Sequence, residues 1–77
     1  MQQKIISIIS HICGADEEEL ELDLNLFEAG LLDSFAILQL LSELEAEFGI
    51  PLDVDSLTRE QIATPAKIEE LIRGMQS

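Results

Sequence analysis

Between Phe35 and Phe48 the chain places Ile37, Leu41, Leu44 and Phe48 on one helical stripe, widened by Leu38 and Leu40. No other amphipathic run in the sequence is as long. The turn before it, Gly30-Leu31-Leu32-Asp33-Ser34, ends in two residue types that favour helix N-caps, and Gly49-Ile50-Pro51 supplies a stop. A helix over 34–48 is therefore the element around which the rest must be arranged. In 77 residues only one domain fits, near the lower size at which an apolar core holds a fold unaided. A lone Cys13 closes no internal disulfide, and one histidine with no ligand spacing holds no structural metal. Burial between helices has to suffice.

Ile5, Ile8, Ile9 and Ile12 follow i, i+3, i+4, i+7 spacing, flanked by Ile6 and Cys13, which predicts a helix over 3–13 ended by Gly14. His11 falls on the opposite, solvated side, and Cys13 reads as a small core residue with no nearby cation to activate it. Asp16 and Glu19 stand at capping-box spacing, which predicts a short helical turn. Leu20, Leu22, Leu24 and Leu26 then alternate with Glu21, Asp23 and Asn25, the formal pattern of a strand. No second segment alternates over comparable length, so the expected form is an extended loop pinning leucines across helix ends. A connection this long suggests either function or a crossover between parallel-running helices. Asp55 or Thr58 is expected to cap a short helix through Ile62, with Thr58 and Gln61 at capping-box spacing. Thr64-Pro65 starts the final helix, with Ile68, Leu71, Ile72 and Met75 on its apolar face and Arg73-Gly74 at its end. The expected fold class is all-α, a small bundle with helices at 3–13, 34–48, 58–62 and 65–74, within a single domain over 1–77.

Sixteen acidic residues against four basic ones give a net charge of −12. That charge repels nucleic acid and anionic lipid, and it directs the chain toward partners with basic patches. Such acidity is common in disordered chains, but 47% hydrophobic residues at helical spacing favour a folded domain. Apolar runs are too short for a membrane span, and the first residues lack a basic region leading into a signal-type apolar core, so a cytoplasmic location is expected. An enzyme needs converging groups, yet the sequence offers no nucleophile–base pair, glycine-rich phosphate loop or basic oxyanion clamp. The acids also lack the ligand pattern of a calcium-binding loop. Ser34 is the candidate functional residue, with capping as the competing explanation. Phe35 projects away from the stripe, together with Gln39, Ser42, Glu43 and Ala46, and is a candidate docking anchor.

Asp33-Ser34-Phe35 at a helix start, after Leu26-Phe27-Glu28-Ala29-Gly30, resembles the prosthetic-group site of acyl and peptidyl carrier proteins. The resemblance spans nearly the whole chain. It implies a four-helix bundle of the acyl-carrier-protein type, with a long first loop and a short third helix. It also implies that Ser34 carries 4'-phosphopantetheine, attached from coenzyme A by a separate phosphopantetheinyl transferase. Within the family, three blocks resemble the D-alanyl carrier proteins: 27–35, then Leu40-Leu41-Ser42-Glu43-Leu44-Glu45, then 58–68. Where those carriers tend to read Asp-Glu-Trp before Ala-Thr-Pro, this chain has Glu60-Gln61-Ile62, and it contains no tryptophan.

The resemblance implies a carrier that is not itself an enzyme. Its partners would be an ATP-dependent aminoacyl or acyl ligase that loads D-alanine as a thioester, and a downstream acyltransferase acting toward teichoic acid. Fatty-acyl carriers typically place acids straight after the Asp-Ser core, whereas Phe35, Ala36 and Gln39 stand there in this chain. Expected partner-binding residues are Asp33, Phe35, Ala36, Gln39 and Glu43, on a monomer with no metal. A fatty-acyl or polyketide carrier is the alternative reading, and an unmodified acidic helical adaptor, in which Ser34 only caps, is a third.

Overall fold

The computed structural model describes residues 2–76. Three α-helices make the frame: α1 (Gln2–Cys13), α2 (Ser34–Phe48) and α3 (Pro65–Gln76). Single 3-10 turns at Glu17–Glu19, Val54–Ser56 and Glu60–Ile62 punctuate the connections, and no strand occurs among the described residues. The fold is all-helical. The helix expected over 58–62 is present only as the turn Glu60–Ile62, so three α-helices stand where four were expected.

Local bonds start α2 and α3 and close α2. The Asp33 side chain accepts the Ala36 N–H at 2.8 Å and starts α2, and Gly49, at φ 65°, turns its N–H back to the Glu45 carbonyl to close it. Thr64 Oγ1 accepts the Lys67 N–H at 3.1 Å, with Pro65 at the first helical position of α3. α3 then runs through Gly74 to Gln76, past the expected end at Arg73-Gly74. The Thr58–Gln61 capping box forms: Gln61 Oε1 accepts the Thr58 N–H at 2.8 Å and Thr58 Oγ1 the Gln61 N–H at 3.4 Å. The Asp16–Glu19 box does not form. Asp16 makes no side-chain cap, and Glu17 instead accepts from Gln3 and Ser7 of α1. Asp55, the other cap expected for the piece through Ile62, lies instead within a separate turn, Val54–Ser56, capped by Asp53, whose carboxylate accepts the Asp55 N–H at 3.0 Å.

Ile5 and Ile9 of α1, Ile37, Leu40, Leu41 and Leu44 of α2, and Ile68 and Ile72 of α3 meet in one core containing no buried polar or charged residue among those described. Burial of each such side chain stabilises by about 1.5–3 kcal/mol, so this cluster carries the fold. Leu38 was expected in the stripe but is 55% exposed, since it sits about 100° around the helix from the middle of the buried face. Met75 of α3, also expected on an apolar face, is 40% exposed.

The helix ends fix the direction of packing. Lys4 near the start of α1 pairs with Glu47 near the end of α2 at 3.3 Å, while Cys13 at the end of α1 feels the charge of Asp33 at the start of α2. α1 and α2 are therefore antiparallel, which removes the crossover explanation for the loop over 14–33. The loop returns to the end of the bundle it left and closes that end with buried Leu20, Leu26 and Leu32. Its leucines do not share one buried face as a strand would require: Leu20 and Leu26 are buried, Leu24 is half-buried, and Leu22 is 40% exposed. Two backbone hydrogen bonds tie the loop to the segment before and into α3, Leu26 N–H to Ala63 O at 2.7 Å and Ala66 N–H to Leu22 O at 3.1 Å.

This arrangement predicts that Leu26→Ala destabilises by about 2–5 kcal/mol, as expected for a fully buried leucine, while Leu22→Ala stays within about 0.5 kcal/mol. Urea unfolding of the two variants checks the contrast. Equal losses at both positions would mean that the loop is packed as a strand-like face after all.

Candidate functional site

Asp33 and Ser34 compete in the sequence for one job, the N-cap of α2. The structure gives it to Asp33, whose extended backbone and 2.8 Å bond to the Ala36 N–H are those of an N-cap. Ser34 is thereby the first helical residue. It is exposed, and its hydroxyl has no hydrogen-bond partner among the described residues. The first-turn N–H groups have no intrahelical acceptors, so a positive helix end lies beside this hydroxyl. That is a setting in which an added phosphate group is electrostatically favoured.

The turn leading to Ser34 is held by a dense set of local bonds. Asn25 Oδ1 accepts the N–H groups of Phe27 and Glu28 at 3.0 and 2.9 Å, and the Leu26 carbonyl accepts those of Leu31 and Leu32 at 2.9 and 3.2 Å. Gly30 takes φ 75°, a left-handed conformation that a side chain would strain, and donates its N–H to Phe27 O. The guanidinium of Arg59 lies over the Phe27 ring, 5.3 Å from its centroid.

The residues expected to meet partners fall into two groups. Phe35 is 78% exposed and Gln39 is exposed, on the face continuing from Ser34, and Leu38 adds a second uncovered apolar side chain one turn away from Phe35. Ala36 and Glu43 are half-buried on the edge turned toward α1, where Ala36 packs against the core and Glu43 borders a groove with Lys4, Ser7 and Ile8. Two features beside Ser34 differ from or go beyond the sequence expectation: the exposure of Leu38 and the contact of Arg59 with Phe27. The angular offset of Leu38 from the stripe was a usable signal, whereas nothing in the sequence announces that Arg59 meets Phe27.

Cys13 is half-buried against the core, and its thiol pKa is raised first by burial and then by the Asp33 charge, so it stays a protonated, poor nucleophile at neutral pH. His11 is exposed on α1. Among the described residues no group of three or more His, Cys, Asp or Glu side chains is placed to hold a metal ion, and no helix is long and apolar enough to cross a membrane.

Comparison with known proteins matches residues 3–72 to the family described as the phosphopantetheine attachment site. The D-alanyl carrier protein of Lacticaseibacillus casei is 45% identical over 64 residues, covering 83% of this chain and 79% of the relative. The D-alanyl carrier protein of Enterococcus faecalis is 40% identical over 76 residues, covering 99% and 97%, and that of Lactococcus lactis subsp. cremoris is 43% identical over 68 residues, covering 88% and 86%. With its exposed serine at a helix start, the chain belongs to the phosphopantetheine attachment-site family and, within it, to the D-alanyl carrier proteins, and it functions as a carrier bearing a covalent 4'-phosphopantetheine.

Proposed function

We propose that Ser34 is the attachment residue, that the cargo is D-alanine held as a thioester, and that the loaded carrier serves teichoic acid D-alanylation. The observation that carries this reading is the division of labour at the start of α2: Asp33 caps the helix at 2.8 Å, leaving the Ser34 hydroxyl exposed and unengaged among the described residues. A serine kept only for capping would itself hold an N–H group, so the adaptor reading loses its support. The prosthetic group supplies a flexible thiol for thioester exchange. The chain supplies the rest: a hydroxyl presented to a phosphopantetheinyl transferase, a helix end that tolerates the phosphodiester, and a docking face. In this reading the chain is a cytoplasmic monomer and not itself the catalyst. The reactions belong to the transferase, an ATP-dependent aminoacyl ligase and a downstream acyltransferase.

Partner contact is assigned to Asp33, Phe35 and Gln39 on the open face, joined by Leu38, with Ala36 and Glu43 at its edge. Phe35 and Leu38 offer adjacent apolar anchors with no acid between them on that turn, so docking beside the arm is led by apolar contact and depends only modestly on salt. The turn Glu60–Ile62 is read as the remnant of the short third helix of a four-helix carrier, with buried Ile62 where related carriers tend to carry tryptophan.

The interior offers no shelter that a long acyl chain would need, which suits a small cargo that stays in water. The core is filled by aliphatic side chains, and a surface depression of about 320 Å³ is bordered by Thr58, Glu60, Gln61, Lys67, Glu70 and Leu71. Such a polar rim gives little shelter to methylenes. The ammonium of D-alanine finds no buried acid and stays in water.

Incubation with coenzyme A and a broad-specificity phosphopantetheinyl transferase should add one phosphopantetheine to the protein and none to Ser34→Ala, as read by intact mass. Because Asp33 holds the cap, Ser34→Ala should cost less than about 0.5 kcal/mol, whereas Asp33→Ala should cost about 0.5–2 kcal/mol. Persistent modification of the alanine variant would overturn the assignment.

Phe35→Ala and Leu38→Ala should slow loading by the ligase while leaving the melting temperature nearly unchanged, since neither side chain is buried. A large fall in melting temperature would place them in the core instead. The D-alanyl form should melt within about a degree or two of the unloaded form, against a shift of about 4–8 °C for each 1 kcal/mol of shelter in a domain of this size. Efficient fatty-acyl loading with a clear rise in melting temperature, and no D-alanine transfer, would establish the fatty-acyl alternative.

A further inference from the structure

Four Lys and Arg side chains serve a chain with sixteen acids, and three of them pair as that excess would suggest: Lys4 with Glu47, Lys67 with Glu60 and Arg73 with Glu69. Among the described residues Arg59 alone has no carboxylate within ion-pair distance. Its guanidinium lies instead over the ring of Phe27, 5.3 Å from the centroid, within the range in which a cation is attracted to the face of an aromatic ring. Neither partner is adrift. The Thr58–Gln61 capping box fixes the backbone on either side of Arg59, and the Asn25 side chain fixes the Phe27 N–H.

We infer that Arg59 is a positioning residue for Ser34, acting through Phe27. The inference rests on the reading of Ser34 as the attachment residue. Phe27 follows Leu26, whose carbonyl accepts the N–H groups of Leu31 and Leu32, and Leu32 adjoins the capping residue Asp33. Whatever fixes residues 26–27 therefore fixes the approach of the chain to the helix start. Two links reach across from the segment before α3: the Leu26 N–H to Ala63 O bond, and the Arg59–Phe27 contact. The first holds the buried side of the turn through Leu26, and the second holds its half-buried outer side. With one link gone the turn keeps its leucine plugs but gains freedom to rock about Leu26. The Ser34 hydroxyl is then presented to the transferase in a less constrained orientation. Arginine suits this role better than lysine because its planar guanidinium stacks on a ring face, while an ammonium acts as a strongly hydrated point charge.

The test compares Arg59→Gln, Phe27→Leu, the double variant and Arg59→Lys in the full chain. The readouts are the steady-state rate of phosphopantetheine transfer from coenzyme A and amide hydrogen exchange at Leu31 and Leu32. Each single variant should lower kcat/KM by about two- to fivefold, the range to which an exposed cation–π contact corresponds. The double variant should be no slower than the worse single variant, because both remove one contact. Exchange at Leu31 and Leu32 should accelerate in both single variants, and Arg59→Lys should recover part of each effect. Additive losses in the double variant, or a defect confined to Arg59 and fully rescued by lysine, would mean that Arg59 touches the transferase directly and would overturn the inference. Unchanged exchange at Leu31 and Leu32 would overturn it too. A wild-type chain that accepts no arm would defeat the reading of Ser34 while leaving the exchange comparison able to decide whether the clamp exists.

Discussion

One hydrogen bond, from the Ala36 N–H to the Asp33 carboxylate at 2.8 Å, determines both where the central helix begins and what its first residue is free to do. An N-cap is not helical itself, so placing it at Asp33 puts Ser34 inside the first turn and points its hydroxyl outward. Had Ser34 been the cap, its oxygen would be engaged by a backbone N–H, and covalent modification would compete with the bond that starts the helix. The shift by one residue leaves the helix capped and the exposed Ser34 hydroxyl outside the capping bond. The phase of α2 is set separately, by its apolar stripe: Ile37, Leu41 and Leu44 face the core, and Phe35 and Leu38 are left to solvent.

The loop over 14–33 follows from the same end of the bundle. Antiparallel packing of α1 and α2 brings the end of one helix beside the start of the next, and a few residues would have joined them. The extra length lays Leu20, Leu26 and Leu32 over the open end of the core and then holds a turn of defined shape ahead of Asp33. In a domain with no disulfide and no metal ligand cluster among the described residues, those three leucines supply burial that a three-helix frame lacks. The loop is therefore part of the core as well as the mounting of the site.

The three α-helices were legible because their signals are local and redundant. Periodicity, a cap and a stop agreed for 34–48, and the observed Ser34–Phe48 matches it residue for residue. The failures share a physical cause. Alternating leucines announce two faces, but only tertiary contacts decide that Leu20 and Leu26 turn inward while Leu22 does not. Asp16 and Glu19 have the spacing of a capping box, yet Glu17 is drawn to Gln3 and Ser7 across the chain, a contact no local window contains. Leu38 is hydrophobic enough to widen the stripe, but about 100° from the middle of the buried face it stays in solvent. Ser34 could be located in the sequence from the turn and the helix start, but its freedom from capping could be settled only by the geometry of Asp33.

The charge of the chain bears on this site in an uneven way. Carboxylates outnumber cations four to one, so the long-range field attracts basic partners and falls off within about 10 Å at moderate salt. Yet the acids of α2, Glu43, Glu45 and Glu47, lie toward its far end, and the turn beside Ser34 presents Phe35 and Leu38. Approach and seating are thus separate problems with separate solutions. The distributed acids raise the encounter rate, which costs little structurally because none of them is buried. Beside Ser34 the surface consists of two exposed apolar side chains and a short turn, and contact there is screened by salt less than charge pairing is. The exposed Phe35 and Leu38 give the surface beside Ser34 a character set by shape more than by charge.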